Sequence, residues 1–340
     1  MQLSTGVRAA AAACVIGLGA SLLATAASAA EKRSVCIFDP LGATGPIFTL
    51  TKATKVKALG WGYDLELRAY TDEKIASDDF LAGQCDAALL TDVRAREFNR
   101  FTGTLVAVGA IPGYDELSTL LQTLSSPKAA PLMKSENYEI AGIAPAGAIY
   151  VLLRDRAIDS VEKIQGKKIA TLDYDPAAVA MVRHVGGSVV SATTSSFAGK
   201  FNNGSVDVAY APAVAYQPME LYKGVEPNGS VFNYNFAQMT FQLVVTADKF
   251  SDSFKQNMRE YYQSRFGEFM DIVKKAEAEI PANVWVQPSG EQAAGFDSML
   301  KDVRISLRDE GVYHPKMLKL MQKVRCQSEA TKAECVDGRE

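Results

Sequence analysis

Four aspartates, Asp39, Asp92, Asp173 and Asp175, each fall just beyond an apolar run that reads as a β-strand. In open parallel sheets, ligands bind beyond the carboxyl ends of the strands. Thr44, Gly45 and Thr91 fall in the same kind of position. Carboxylates converging on a partly desolvated cleft would select a cation, because an unpaired buried charge is expensive. Tyr174, Tyr210, Tyr216 and Tyr234 add rings for stacking and cation–π contact. Asn233, Asn235 and Gln238 add hydrogen-bonding groups. These residues predict a small-molecule ligand, cationic or neutral and amphipathic, with an apolar, lipid-like ligand as second choice. The competing reading makes each aspartate a turn or cap residue at the surface.

Catalysis is not expected. The two histidines, His184 and His314, stand in no nucleophile, metal or acid–base motif. Neither Gly-x-Ser-x-Gly nor His-Glu-x-x-His occurs. The turn-rich loop at 39–46 lacks the lysine and spacing of a P-loop and the Gly-x-Gly-x-x-Gly of a dinucleotide site. It still joins a strand to a helix N-terminus, where backbone N–H groups point at solvent or at a ligand. No cofactor or metal is expected. Charge is mildly negative, with 36 Lys and Arg against 39 Asp and Glu, which gives no reason to expect nucleic acid as a partner.

The elements that must hold these residues follow from hydrophobic period and turn chemistry. Residues 34–38, 63–70 and 85–90 read as strands. Between them lie a helix that Pro46 opens, carrying Ile47, Leu50, Ala53 and Val56 on one face, and a helix at 72–82 ended by Gly83. This is β-α-β-α-β, an open parallel sheet. A strand at 105–111, a helix at 114–124 and a loop at 125–137 follow. Residues 138–143 lead into the stretch 147–175, which reads as strand, turn, short helix, turn, strand. The pattern then repeats, with helices at 177–184 and 196–201 and strands at 188–191 and 206–211. Gly83-Gln84-Cys85-Asp86 and Gly204-Ser205-Val206-Asp207 each follow a helix end and enter an apolar strand. Two units of like topology explain that repeat. Residues 233–246 read as an extended return segment. One long amphipathic helix is expected at 253–280, with Phe254, Met258, Tyr261, Phe269, Ile272 and Ala276 on its buried stripe. Two more helices are expected at 291–308 and 315–324.

Residues 1–30 have the pattern of a cleavable secretory leader: Arg8, an Ala-rich apolar run, then small residues before Glu31. The chain is therefore expected in the periplasm. Setting aside Cys14 leaves four cysteines, an even count that suits disulfides in an exported protein. Of the three connectivities, Cys36–Cys85 and Cys326–Cys335 are expected. The first pair would join adjacent strands and the second would close a short polar loop.

In their order along the chain, several features resemble the extracytoplasmic solute-binding proteins of bacteria, particularly the TRAP-transporter type. They are the leader, the first strand with its acidic loop, the paired Gly-x-x-Asp strands, the stretch Ile158-Asp159-Ser160-Val161-Glu162-Lys163-Ile164-Gln165-Gly166-Lys167-Lys168-Ile169 after a hydrophobic crossing strand, and the long C-terminal helix. The resemblance implies an α/β fold of the two-lobed periplasmic binding protein kind (type II-like). Each lobe would be an open, mainly parallel sheet flanked by helices, joined by a hinge that closes on a ligand. Lobe I would span 31–150, with helices from 247–325 packing back on it, lobe II 151–246, and a tail 326–340. It further implies delivery of the ligand to or from a membrane transporter. The TRAP type usually carries an arginine in the strand after the Gly-Lys-Lys segment that clamps a ligand carboxylate. Here that strand reads Ile169-Ala170-Thr171-Leu172-Asp173, with Arg154 as the nearest substitute. The sequence also looks like exported proteins associated with RND-type efflux or lipid export, which implies as an alternative a periplasmic accessory component of such a system.

Overall fold

A computed structural model of the chain describes residues 29–328, 330 and 335. The expected leader, apart from residues 29 and 30, and most of the tail lie outside the described residues. The strands are β1 (Glu31–Phe38), β2 (Tyr63–Tyr70), β3 (Ala87–Thr91), β4 (Lys134–Ser135), β5 (Tyr138–Leu153), β6 (Lys168–Leu172), β7 (Ser188–Ala192), β8 (Val208–Pro212), β9 (Ser230–Phe232), β10 (Ala237–Thr246) and β11 (Trp285–Val286). They join one sheet whose main path runs β2-β1-β3-β10-β5-β8-β6-β7. β2, β1 and β3 are mutually parallel, as are β8, β6 and β7. The long strands β10 and β5 lie between these triplets and pair antiparallel with each other and with both neighbours. Helices flank the sheet, giving the mixed α/β architecture that the alternating pattern predicts.

The repeat read from Gly-x-x-Asp is a matched pair of turns. Gly83 and Gly204 both take positive φ, 74° and 79°, a region that glycine enters without steric cost. The Asp86 carboxylate accepts from the Ser34 N–H at 2.8 Å, and its own N–H donates to the Ser34 carbonyl at 2.8 Å. Asp207 does the same to Lys168, at 2.8 and 2.8 Å. The Asp86 carbonyl accepts from Thr246 N–H, and the Asp207 carbonyl from Arg154 N–H, each at 3.0 Å. Each aspartate thereby ties the start of its own strand to the central strand of its triplet and to a crossing strand.

The main core collects β1–β3, β5 and β10 with the helices at Tyr114–Ser125, Asp252–Ser264 and Pro315–Ser328. A second core lies on β5 and β8, around Phe197, Phe201 and Tyr216. Helix Gly290–Asp309 packs against helix Pro176–His184 of the second triplet while Val303 and Leu307 join the main core. The disulfide Cys36–Cys85 ties β1 to the entry of β3, with Cα atoms 5.8 Å apart, and Cys326–Cys335 is also formed.

Two local expectations differ from the structure. Residues 105–111 form no strand: the N–H groups of Leu105, Ala107 and Ala110 bond back to the carbonyls of Thr102, Thr104 and Ala107, so an apolar run is buried as successive turns. The helix expected at 253–280 is two helices, Asp252–Ser264 and Phe266–Glu279, broken at Arg265. β5 is a single strand of sixteen residues that carries the chain past residue 150. Among the described residues, no helix is long and apolar enough to cross a membrane.

Candidate ligand cleft

The carboxyl ends of the two parallel triplets face each other across β5 and β10, and the space between them is a chamber of about 170 Å³. Its wall is chiefly aliphatic and aromatic. Phe38, Ile47 and Leu50 come from the first triplet and its helix, Leu172 and Phe197 from the second, Met239 and Phe241 from β10, and Phe269 and Val273 from helix Phe266–Glu279. Among the residues lining it, the charged ones are Asp39, Glu73 and Arg265. All three are engaged. Asp39 accepts from the N–H groups of Leu41 and Phe48, both at 2.9 Å. It thus caps helix Pro46–Gly60, whose own N-cap, Gly45, has no side chain to do so. A Cβ at Gly45 would collide with that carboxylate. The N–H groups that the loop at 39–46 was expected to offer a ligand are therefore partly taken by the chain's own acid. Arg265 is held by Glu268 at 2.9 Å and donates to the Leu50 carbonyl at 3.3 Å.

Glu73 is buried at the start of helix Glu73–Leu81. It accepts from Thr91 N–H at 2.6 Å and from the Tyr174 hydroxyl at 2.7 Å. Burial raises its pKa, against the opposing pull of those two donors and of Arg94. Burial and the Glu73 charge push the Tyr174 hydroxyl well above the usual phenol range, so it stays a donor. The Arg94 guanidinium lies 3.4 Å from the Tyr174 ring centroid. Beside it, Arg96 and Asp175 pair at 3.1 Å, each side chain only 9% exposed. Asp175 also caps helix Pro176–His184 through Ala177 N–H, at 3.1 Å. Glu73, Arg94 and Arg96 from the first triplet thus clasp Tyr174 and Asp175 from the second.

The four aspartates do not converge. Asp39 lines the chamber, Asp175 is paired to Arg96, and Asp173 is exposed. Asp92 is fully buried and accepts from the N–H and hydroxyl of Thr240, at 2.8 and 2.9 Å. Burial lifts its pKa to about 7. Tyr174 and Tyr210 line the chamber, and Thr91 lies on its edge. Arg154 is elsewhere: its guanidinium bonds the carbonyls of Phe201 and Asn202, at 2.7 and 3.3 Å, and so caps the C-terminus of helix Thr194–Asn202. Thr44 is exposed and bonds the Leu41 carbonyl. Tyr216 is buried beneath β8, and Tyr234 bonds Asp297 and packs on Phe296. Gln238 is buried away from the chamber, since β10 turns Ala237, Met239 and Phe241 toward the cleft region and Gln238, Thr240 and Gln242 away from it.

The family model described as solute-binding protein AdeT 1/2 matches residues 48–340. The chain belongs to this family. It is 37% identical over 299 residues to the probable solute-binding protein AdeT1 of Acinetobacter baumannii, covering 88% of this chain and 98% of that one. It is 24% identical over 233 residues to AdeT2 of the same organism, covering 68% and 98%. Among solved structures it is similar to a TRAP periplasmic solute-binding protein of Desulfovibrio salexigens with bound orotic acid. That likeness has a TM-score of 0.72 at 12% identity and covers 87% of this chain and 99% of that one. A TRAP protein of Haemophilus influenzae with bound L-gulonate also has a TM-score of 0.72, at 10% identity, over 86% and 99%. The two-lobed fold of the TRAP periplasmic solute-binding proteins is thereby shown, and by its family the chain is a solute-binding protein.

Within this AdeT1/2-family protein, sequence reasoning missed Glu73, Arg94 and Arg96. Their signal was present: two arginines stand two and four residues beyond Asp92, where a strand end had already been placed. Glu73 stands in the first helical turn beside the N-cap Asp72, and nothing local in the sequence signals that it is buried.

Proposed function

We propose that this solute-binding protein captures an uncharged apolar or amphipathic molecule in the chamber between the two parallel triplets. It passes that molecule to or from a membrane transporter. The observation that carries the reading is the wall itself, chiefly apolar, with Asp39, Glu73 and Arg265 already engaged by internal partners. Organic and sugar acids occupy the neighbouring TRAP structures, including succinate in one from Shewanella oneidensis. A carboxylate of that kind needs an available cation, and β6 has Ala170 and Thr171 buried where a clamping arginine is expected. A cationic ligand is disfavoured by the same accounting, since Asp39 and Glu73 are spent on internal donors. Tyr and Phe rings with a few hydroxyls suit a greasy body with one polar end.

Export by a cleavable leader, and closure of lobes 31–150 and 151–246 about β5 and β10, belong to this reading. The hinge has local support. Gly147 in β5 takes φ 101°, and opposite it the register of β10 shifts between Met239 and Thr240. Binding rather than catalysis is the chemistry that this cleft suits.

The test is thermal unfolding of the mature chain against polyamines, aminoglycosides, dicarboxylates, sugar acids, fatty alcohols and sterols. A ligand at a hundred times its dissociation constant adds about 2.7 kcal/mol. A shift with neutral amphipaths supports the proposal. A shift confined to acids or to polyamines overturns it.

A further inference from the structure

A second cavity, of about 130 Å³, adjoins the first. Val93, Ile149 and Tyr210 line both, so these side chains form the partition. Val106 and Val108 follow β3 of the first triplet, Ile164 and Val182 flank β6 of the second, and Phe296 and Met299 come from helix Gly290–Asp309. Among the described residues that line it, the charged ones are Arg96 and Asp175, which neutralise each other. The pair does not use all of the guanidinium. Arg96 donates from Nε to the Gly103 carbonyl at 3.0 Å and from Nη1 to Asp175 at 3.1 Å. Its Nη2 is buried and has no hydrogen-bond partner among the described residues. A buried donor left unpaired costs about 1–3 kcal/mol, and an apolar cavity of about 150 Å³ is known to stay dry and take up benzene or xenon.

We infer that this second chamber is a binding site of its own, for a small uncharged aliphatic molecule or group bearing one oxygen acceptor, such as a ketone, ester or ether. The hydrocarbon body fills the valine- and isoleucine-lined space and the oxygen accepts from Arg96 Nη2. An anion is disfavoured because Asp175 already sits on the same guanidinium. A hydrocarbon without an acceptor leaves Nη2 unpaired and binds more weakly. Walls drawn from beside both triplets mean that occupancy favours their apposed arrangement. The site does not depend on what fills the first chamber.

The probe is cyclohexanone, with cyclohexane as its acceptor-free counterpart. Crystals of the mature chain equilibrated with cyclohexanone should show the ring in the second chamber with its oxygen on Arg96 Nη2. Titration should give cyclohexanone several-fold tighter than cyclohexane, about tenfold if a full hydrogen bond is gained. Ala178 lines this cavity and not the first. Ala178→Leu should remove the second-chamber density and leave any first-chamber density in place. Val161→Phe is the independent variant with the same expectation. Cyclohexanone confined to the first chamber, or ordered water on Nη2 that the probe does not displace, overturns the inference. Equal affinity for the two probes overturns the role of Arg96. Neutral amphipaths failing in the first chamber would sink only the proposal made for that chamber.

Discussion

The two ends of the parallel triplets obey different rules. At the amino ends, Asp86 and Asp207 make the same three hydrogen bonds at the same distances. At the carboxyl ends, the triplets have diverged into opposites: Arg94 and Arg96 stand on one side, and Tyr174 and Asp175 face them from the other. Symmetry survives where a residue ties its own triplet to the crossing strand beside it. It is lost where the triplets meet, because two like surfaces carrying like charges would repel. Asp39 and Asp175 make the point within one element type. Each follows the central strand of its triplet and precedes a helix opened by proline. Asp39 is satisfied locally by Leu41 and Phe48, whereas Asp175 divides its carboxylate between its own helix and Arg96 across the cleft.

Breaking the cleft end should cost most. Arg96→Ala strands Asp175 in a buried site, and urea unfolding should show a loss of about 3–5 kcal/mol. Replacing both partners with apolar residues of like size should recover most of that loss. If Arg96→Ala costs no more than a surface substitution, the clasp is not a buried pair. Next comes Asp92, whose pKa of about 7 in the fold lies above its ordinary value of 3.8 because of burial. The folded chain therefore holds this proton more tightly. Its contribution is full below about pH 4 and is lost as pH rises through about 7. Between pH 5 and pH 8 this group alone should lower stability by about 2–3 kcal/mol. Asp92→Asn should remove that slope while keeping an acceptor for Thr240. An unchanged slope would show that Asp92 titrates normally.

The amino ends give the matched control. Asp86→Ala and Asp207→Ala should each cost about 1–3 kcal/mol, and the two values should agree to within about 0.5 kcal/mol. A large difference would mean that the equal geometry hides unequal surroundings. Smallest is Tyr174→Phe, about 1 kcal/mol, read from the same urea curves. It removes one of the two donors to Glu73 and leaves the ring under Arg94.

These contrasts also explain what the sequence revealed. Local patterns placed both β-α-β-α-β units, the Gly-x-x-Asp turns and both disulfide pairs. Each of these depends on residues near in sequence or on neighbouring strands. The same reasoning treated 105–111 as a strand, because apolar content does not separate a strand from a buried series of turns. For the cleft it pointed to the carboxyl ends of the strands, where the chamber lies, and, among chamber residues, to Asp39, Tyr174 and Tyr210. It missed how the charges are used. Whether Asp175 meets a ligand or Arg96 depends on a partner 79 positions away, and no local spacing encodes that. Arg154 misled for a related reason: it follows a crossing strand, yet that end of the strand points away from the cleft.

The central claim is that the first chamber selects an uncharged apolar body. Calorimetric titration of the mature chain with a neutral amphipath at several temperatures tests it most directly, with galactonate and succinate run in parallel. The account predicts saturable binding of the amphipath with a clearly negative heat-capacity change, the mark of apolar burial, and no saturable heat from either acid. Saturable binding of an acid, with none by neutral amphipaths, would contradict it.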